Sequence, residues 1–206
     1  MKKFWFLIPI IITIHLQSQT LLFEENFDYS TGTLTSVSTA WSESPTGSVD
    51  IQVTGGSLSY TDYPSSGVGN KINLNGGASS RSGVLSTFTS HSGNGTTVYG
   101  SFIIRVTSTT DMDINTSDGD YFCNFKVGGS LRSLLSVRQG ATSSNYQIGI
   151  GKLTTSTPVW YSTALDVITS YLVVMAYVFQ SGDDAVRLWI NPNLSGSEPT
   201  DRKRHV

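Results

Sequence analysis

Four aspartates and an asparagine crowd one ten-residue stretch: Asp111, Asp113, Asn115, Asp118 and Asp120. A hard cation such as Ca²⁺ takes about six to eight oxygen ligands, so a loop of this composition could hold calcium with weak, extracellular-type affinity. The alternation Asp111-x-Asp113-x-Asn115 matches the start of a helix-loop-helix calcium site, but the sixth position is Thr116 instead of Gly and no Glu closes the loop. Asp and Asn are also good turn residues, which is the plainer reading of the cluster. Aromatic rings suggest a second chemistry. A flat ring face suits the C–H side of a sugar, while neighbouring polar groups fix its orientation. Trp160, Tyr161, Trp189, Trp41 and Tyr63 are the candidate carbohydrate contacts, with Tyr60 beside them, and each could equally serve packing.

Groupings that would break bonds are missing. The glutamates are Glu24, Glu25, Glu43 and Glu198. Retaining glycoside hydrolysis needs two carboxyl groups about 5 Å apart. Glu25 and Asp28 lie three apart on an expected strand and would project to opposite faces. There is no Gly-x-Ser-x-Gly elbow. His91 is the only His inside the region expected to fold, and it sits in a Ser/Gly/Asn loop. Gly151-Lys152 lacks the rest of a phosphate loop, and zinc would find too few His and Cys ligands. No catalytic residue is assigned, and binding is favoured over catalysis.

The chain that positions these residues has 206 amino acids, room for one β-domain. Ser, Thr and Gly together make 75 of the 206 residues, and only 14% are charged. That excludes a long helical bundle. With no basic stripe to displace counterions, it also argues against nucleic acid as a partner. Lys2 and Lys3, an apolar run from Phe4 to Ile14 and small Ser18 describe a secretory signal over residues 1–18, because the run is too short to span a bilayer. Residues 19–200 then form a mildly acidic exported domain with no membrane insertion, carrying 8 basic and 14 acidic residues. Cys123 is the only cysteine, so no internal disulfide forms. Tyr121, Cys123, Phe125 and Val127 alternate along an expected strand, which makes Cys123 a small buried hydrophobe.

Strands are expected at Leu21–Tyr29, Val49–Val53, Leu58–Tyr60, Lys71–Leu74, Gly83–Phe88, Val98–Thr107, Tyr121–Val127, Leu131–Arg138, Tyr146–Ile150, Val159–Ser162, Tyr171–Phe179 and Val186–Ile190. Gly-, Asn- and Asp-rich turns separate them, and no segment keeps a helical period over two turns. Every residue of Tyr171–Phe179 is apolar, so both faces of that strand should be covered. Val186, Leu188 and Ile190 face one way and Trp189 the other, and the Ser181–Asp184 turn should close an antiparallel hairpin. The class is all-β, a sandwich or barrel.

The order Glu25-Asn26-Phe27-Asp28-Tyr29, Trp41, Gly56–Tyr60, Val98–Phe102, Gly119–Phe122, Ser170–Val174 and Val186–Pro192 resembles the concanavalin A-like lectin/glucanase superfamily in its laminin G-like branch. The resemblance runs from about Leu22 to Pro199. It implies a jelly-roll β-sandwich of two antiparallel sheets in an extracellular or cell-surface protein, and it implies no reaction. The glucanases of that superfamily carry a Glu-x-Asp-x-x-Glu strand, which this chain lacks. Relatives of this look continue past the Asn-Pro segment with further strands. The basic residues 201–206 therefore read as a truncated or frame-shifted end, with a solvated tail as the plainer alternative. The functional expectation is a non-catalytic carbohydrate-binding or adhesion module whose partner is a glycan or a surface protein. The alternatives are a glycan hydrolase or lyase with unrecognised acids and a structural jelly-roll spacer.

Overall fold

The structure is a computed structural model that describes residues 19–76, 81–114, 116–195, 198–199 and, as backbone only, 203–205. The expected signal at 1–18 lies outside the described residues, as do Asn115 and the remainder of the 201–206 tail. In chain order the elements are β1 (Gly32–Thr33), α1 (Leu34–Val37), β2 (Ser42–Glu43), β3 (Gln52–Thr54), β4 (Lys71–Asn73), β5 (Val84–Leu85) and β6 (Thr97–Ile104). They continue with β7 (Asp120–Val127), β8 (Ser130–Gln139), β9 (Asn145–Gly151), β10 (Val159–Trp160), β11 (Leu165–Asp166), β12 (Tyr171–Val178), β13 (Ala185–Ile190) and β14 (Lys203–His205). Among the described residues strand makes up 38% and helix 2%, so this part of the chain is nearly all β. Among the described residues no helix is long and apolar enough to cross a membrane.

Two antiparallel sheets dominate. One runs β14-β13-β12-β6, and the other runs β10-β9-β8-β7 with β11 also on β9. Period-two alternation decides what each sheet contributes to the space between them. Val173, Met175 and Tyr177 of β12 and Val186, Leu188 and Ile190 of β13 enter the core from one side. Leu135 and Val137 of β8 and Tyr146, Ile148 and Ile150 of β9 enter it from the other. The expected hairpin is present, with Val178 opposite Ala185 and Val173 opposite Ile190. The other face of β12 is buried as well, since Leu172 and Ala176 are fully inaccessible. An all-apolar strand needs that second cover, because burying apolar area is what holds it in place. The short strands form two further sheets, β1-β3-β4 and β2-β5.

Several expectations fail for local reasons. Leu21–Tyr29 forms no strand. The Glu25 carboxylate accepts the backbone N–H of Phe27 at 2.6 Å, and Phe27 adopts a left-handed φ of 51°, so the side chain captures a donor that a ladder would need. Leu58–Tyr60 also forms no strand. The chain there turns repeatedly, with Tyr63 N–H on the Tyr60 carbonyl and left-handed Asp62 and Ser65. Gly83–Phe88 shortens to β5, and one turn of helix, α1, appears where none was expected. Lys203–His205, part of a solvated tail in the plainer reading, instead pairs with β13, with His205 opposite Val186 and Lys203 opposite Leu188. Along β7 the strict alternation breaks at two register shifts, between Tyr121 and Cys123 and between Cys123 and Phe125. Phe122, Cys123 and Phe125 therefore all pack on the core, while Tyr121 and Val127 are exposed. Cys123 is half-buried, and burial pushes its thiol pKa up to about 11.

Candidate functional site

Ladder register brings Tyr121 of β7, Ser136 of β8, Gly149 of β9 and Trp160 of β10 into one row. Leu135, Val137, Ile148 and Ile150 take the core side of the same strands, so this row lies on the sheet's outer face. Gly149 is what lets the Trp160 ring lie down. A Cβ there would stand 2.8 Å from Cε3 and 2.9 Å from Cδ2 of the indole. The ring reaches across to Gly119, where a Cβ would stand 2.6 Å from Cη2. Close approach of this kind is a reason for glycine inside a strand.

Polar contacts fasten the ring. The indole N–H donates to the Ser117 carbonyl at 3.0 Å. The Arg138 guanidinium sits 4.2 Å from the ring centroid, a cation–π stack. Arg138 Nη1 donates to the Thr116 carbonyl at 2.7 Å, and Nε and Nη2 both donate to Gln147 Oε1, at 3.1 and 2.8 Å. Gln147 Nε2 donates onward to the Tyr161 carbonyl at 3.1 Å. Desolvation lowers the Arg138 pKa, but an arginine keeps its charge. Together these contacts tie the 116–119 segment to the sheet.

Beside this knot runs a groove of about 360 Å³, lined by Asp118, Tyr121, Ser136, Thr154, Ser156 and Pro158 among others. Tyr121 is 59% exposed and presents its ring there. A carboxylate, several hydroxyls and one open phenol ring can donate to, accept from and stack on a polyhydroxylated ligand. A larger and more open cleft of about 890 Å³ lies past the end of β13, with Ser59, Tyr60, Asp62, Asn191, Asn193 and Ser195 in its wall.

The five aromatic candidates do not converge. Trp160 stands beside the groove, but Arg138 occupies its ring. Tyr161 is half-buried against the sandwich core, its N–H on the Ile148 carbonyl at 2.8 Å, instead of open to solvent. Trp189 is only 2% exposed and lies on the outer face of the other sheet. Trp41 is packed between Phe23 and Phe27, and its indole N–H donates to Glu25 at 2.8 Å. The Tyr63 hydroxyl meets Ser101 Oγ of β6 at 2.8 Å.

The acidic stretch divides similarly. Asp118 lines the groove. Asp120 begins β7 with Arg81 3.9 Å away. Asp111 and Asp113 are exposed, and the Asp113 carbonyl accepts the Gln139 N–H at 2.9 Å. Among the described residues no three His, Cys, Asp or Glu side chains come together, and Asn115 of the expected calcium loop lies outside those residues. Sequence reasoning missed Tyr121, Ser136, Arg138 and Gln147. The available signal was polar residues and glycine at alternate positions of otherwise apolar strands, Ser136-x-Arg138 and Gln147-x-Gly149. Comparison with models of known protein families, with curated proteins and with solved structures finds no match.

Proposed function

We propose that the chain is a non-catalytic carbohydrate-binding module acting outside the cell, with the Tyr121 groove as its glycan site. The supporting observation is the row on the outer sheet face, where an open phenol ring adjoins a pocket of hydroxyls and the Asp118 carboxylate. Such a surface binds by stacking and by hydrogen bonds to hydroxyl groups. The glutamates whose partners are known serve contacts of other kinds. Glu25 holds Phe27, Tyr29 and Trp41, Glu198 pairs with Arg187, and Glu24 accepts the Ser65 hydroxyl. We further propose a jelly roll of the concanavalin A-like, laminin G-like kind. In support, β6 leaves its sheet, the facing sheet takes β7, β8 and β9 in succession, and the chain returns as β12 directly beside β6.

A glycan array probed with the purified protein and with Tyr121→Ala tests the binding site. Glycan binding that the substitution weakens supports it. Absence of binding to any glycan, or equal binding by both proteins, defeats it. Release of reducing ends or unsaturated products from a bound polysaccharide would replace it with a hydrolase or lyase.

A further inference from the structure

On the outer face of the β14-β13-β12-β6 sheet a carboxylate is already captured. Arg187 Nη1 donates to both oxygens of Glu198, at 2.7 and 2.9 Å, and the Tyr99 hydroxyl reaches Glu198 Oε2 at 3.1 Å. The next residue is held too, because the Trp189 indole N–H donates to the Pro199 carbonyl at 3.1 Å. Tyr99 and Trp189 form a tilted ring pair 6.3 Å apart beside the guanidinium. The register explains this gathering. Tyr99, Ala176 and Arg187 share one rung, and Ser101, Val174 and Trp189 share the next rung but one. The Arg187 side chain is 16% exposed, and its buried Nε has no acceptor among the described residues. One nitrogen thus serves both carboxylate oxygens while another donor stands idle. A guanidinium binds a free carboxylate best through two parallel donors, so Glu198 fills the position without exhausting it.

We propose that Arg187, Tyr99 and Trp189 form a carboxylate site for uronate-bearing glycans, closed in this state by the chain's own Glu198. The ligand class rests on the glycan reading above, but the face is different. Two residues beyond Trp189 the chain enters the hydroxyl- and carboxamide-lined cleft at Asn191 and Asn193, about 13 Å along the strand from Arg187, which suits the hydroxyls of a further sugar in an oligosaccharide whose uronate sits on Arg187. Tyr99, 43% exposed, offers the accessible ring. A ligand carboxylate takes the place of that of Glu198, and residues 198–199 lift.

The Trp189 indole N–H reports this, because only lifting frees it from Pro199. Its nitrogen–proton resonance, assigned against Trp189→Phe or by elimination with Trp41→Phe and Trp160→Phe, is followed while trigalacturonate is added to the intact protein. The resonance should move in the intact protein, and in Glu198→Gln, where the internal competitor is gone, it should lie near its ligand-bound position before any ligand is added. A neutral cello-oligosaccharide should leave it still. No movement in the intact protein, an equal response to the neutral sugar, or a Glu198→Gln resonance that starts at the wild-type position would each overturn the proposal. A stronger response to poly-glutamate would assign the face to an acidic protein instead. Because Tyr121→Ala touches only the other sheet, loss of the groove reading and loss of this one are separately visible.

Discussion

Replacing Gly149 by alanine should unfasten the Trp160 knot. The new methyl would stand 2.8 Å from the indole and 3.1 Å from Pro158 Cβ, with Ile148 and Ile150 holding β9 from the core side. The ring must lift, losing its bond to Ser117 and its stack with Arg138. A lost hydrogen bond costs about 1 kcal/mol and a half-exposed cation–π contact about 0.5–1 kcal/mol. Residual crowding adds about 1 kcal/mol. The sum, about 2–3 kcal/mol, corresponds to a fall in Tm of about 5–10 °C for a chain of this size. Gly182→Ala is the matched comparison, because nothing lies within 4 Å of a Cβ there, and it should leave Tm nearly unchanged. Thermal unfolding followed by circular dichroism reads both. In a Trp160→Ala background the Gly149→Ala increment should shrink to about 1 kcal/mol or less, since the indole has gone and only the 3.1 Å approach to Pro158 Cβ remains. Gly149→Ala melting with Gly182→Ala, or an undiminished increment in the double variant, would refute the packing argument.

Tyr121→Ala should weaken glycan binding about 3- to 10-fold in a calorimetric titration, the worth of one stacking ring, and leave Tm unchanged because the side chain is largely exposed. Asp184→Ala should cost about 2–4 kcal/mol in denaturant unfolding, since that carboxylate accepts both the Tyr177 hydroxyl at 2.8 Å and the Gln180 N–H at 2.9 Å. Asp183→Ala, whose 77%-exposed side chain pairs with Lys152, should cost about 1 kcal/mol or less. The Cys123 thiol is raised from 9.0 to about 11, so the unfolded chain loses its proton first as pH rises. Stability from this group is complete below pH 9 and is lost as pH climbs towards 11. Unfolding measured across that window should show a decline of up to about 2 kcal/mol that Cys123→Ala removes.

The parts of the fold legible in the sequence are those where periodicity and burial agree. The nine apolar residues from Tyr171 and the alternating Val186, Leu188 and Ile190 make a hairpin whose facing side chains sit together in the core. Legibility fails where a side chain competes with the ladder. Glu25 takes the Phe27 N–H and Asn70 Nδ2 takes the Tyr29 carbonyl, so a segment with strand-like composition becomes a clasp around Trp41. It fails again in β7, because two bulges reset which residues face inward, and a bulge leaves no mark in hydropathy. The site is less legible than the fold for a related reason. Arg138 and Trp160 are far apart in sequence, and only the pairing of β8 with β9 and of β9 with β10 stacks one on the other.

The direction of Trp189 follows from alternation, opposite to Leu188 and Ile190, but outward does not mean exposed, since it is only 2% accessible. The same apolar run that makes β12 a central strand leaves Leu172, Val174, Ala176 and Val178 on that outer face, and bare sheet of this kind invites association. Residues 198–199 and the Tyr63 hydroxyl meet this face at Tyr99, Arg187, Trp189 and Ser101. Among the described residues the contacts that hold residues 198–199 down include a carboxylate on a guanidinium and an indole on a carbonyl, while the strands beneath are held by burial. Salt and competing carboxylates weaken the first kind of contact and leave the second nearly untouched. The proposed latch requires the cover to open without the sandwich unfolding, and contacts that salt or a competing carboxylate weakens are the kind that lets it do so.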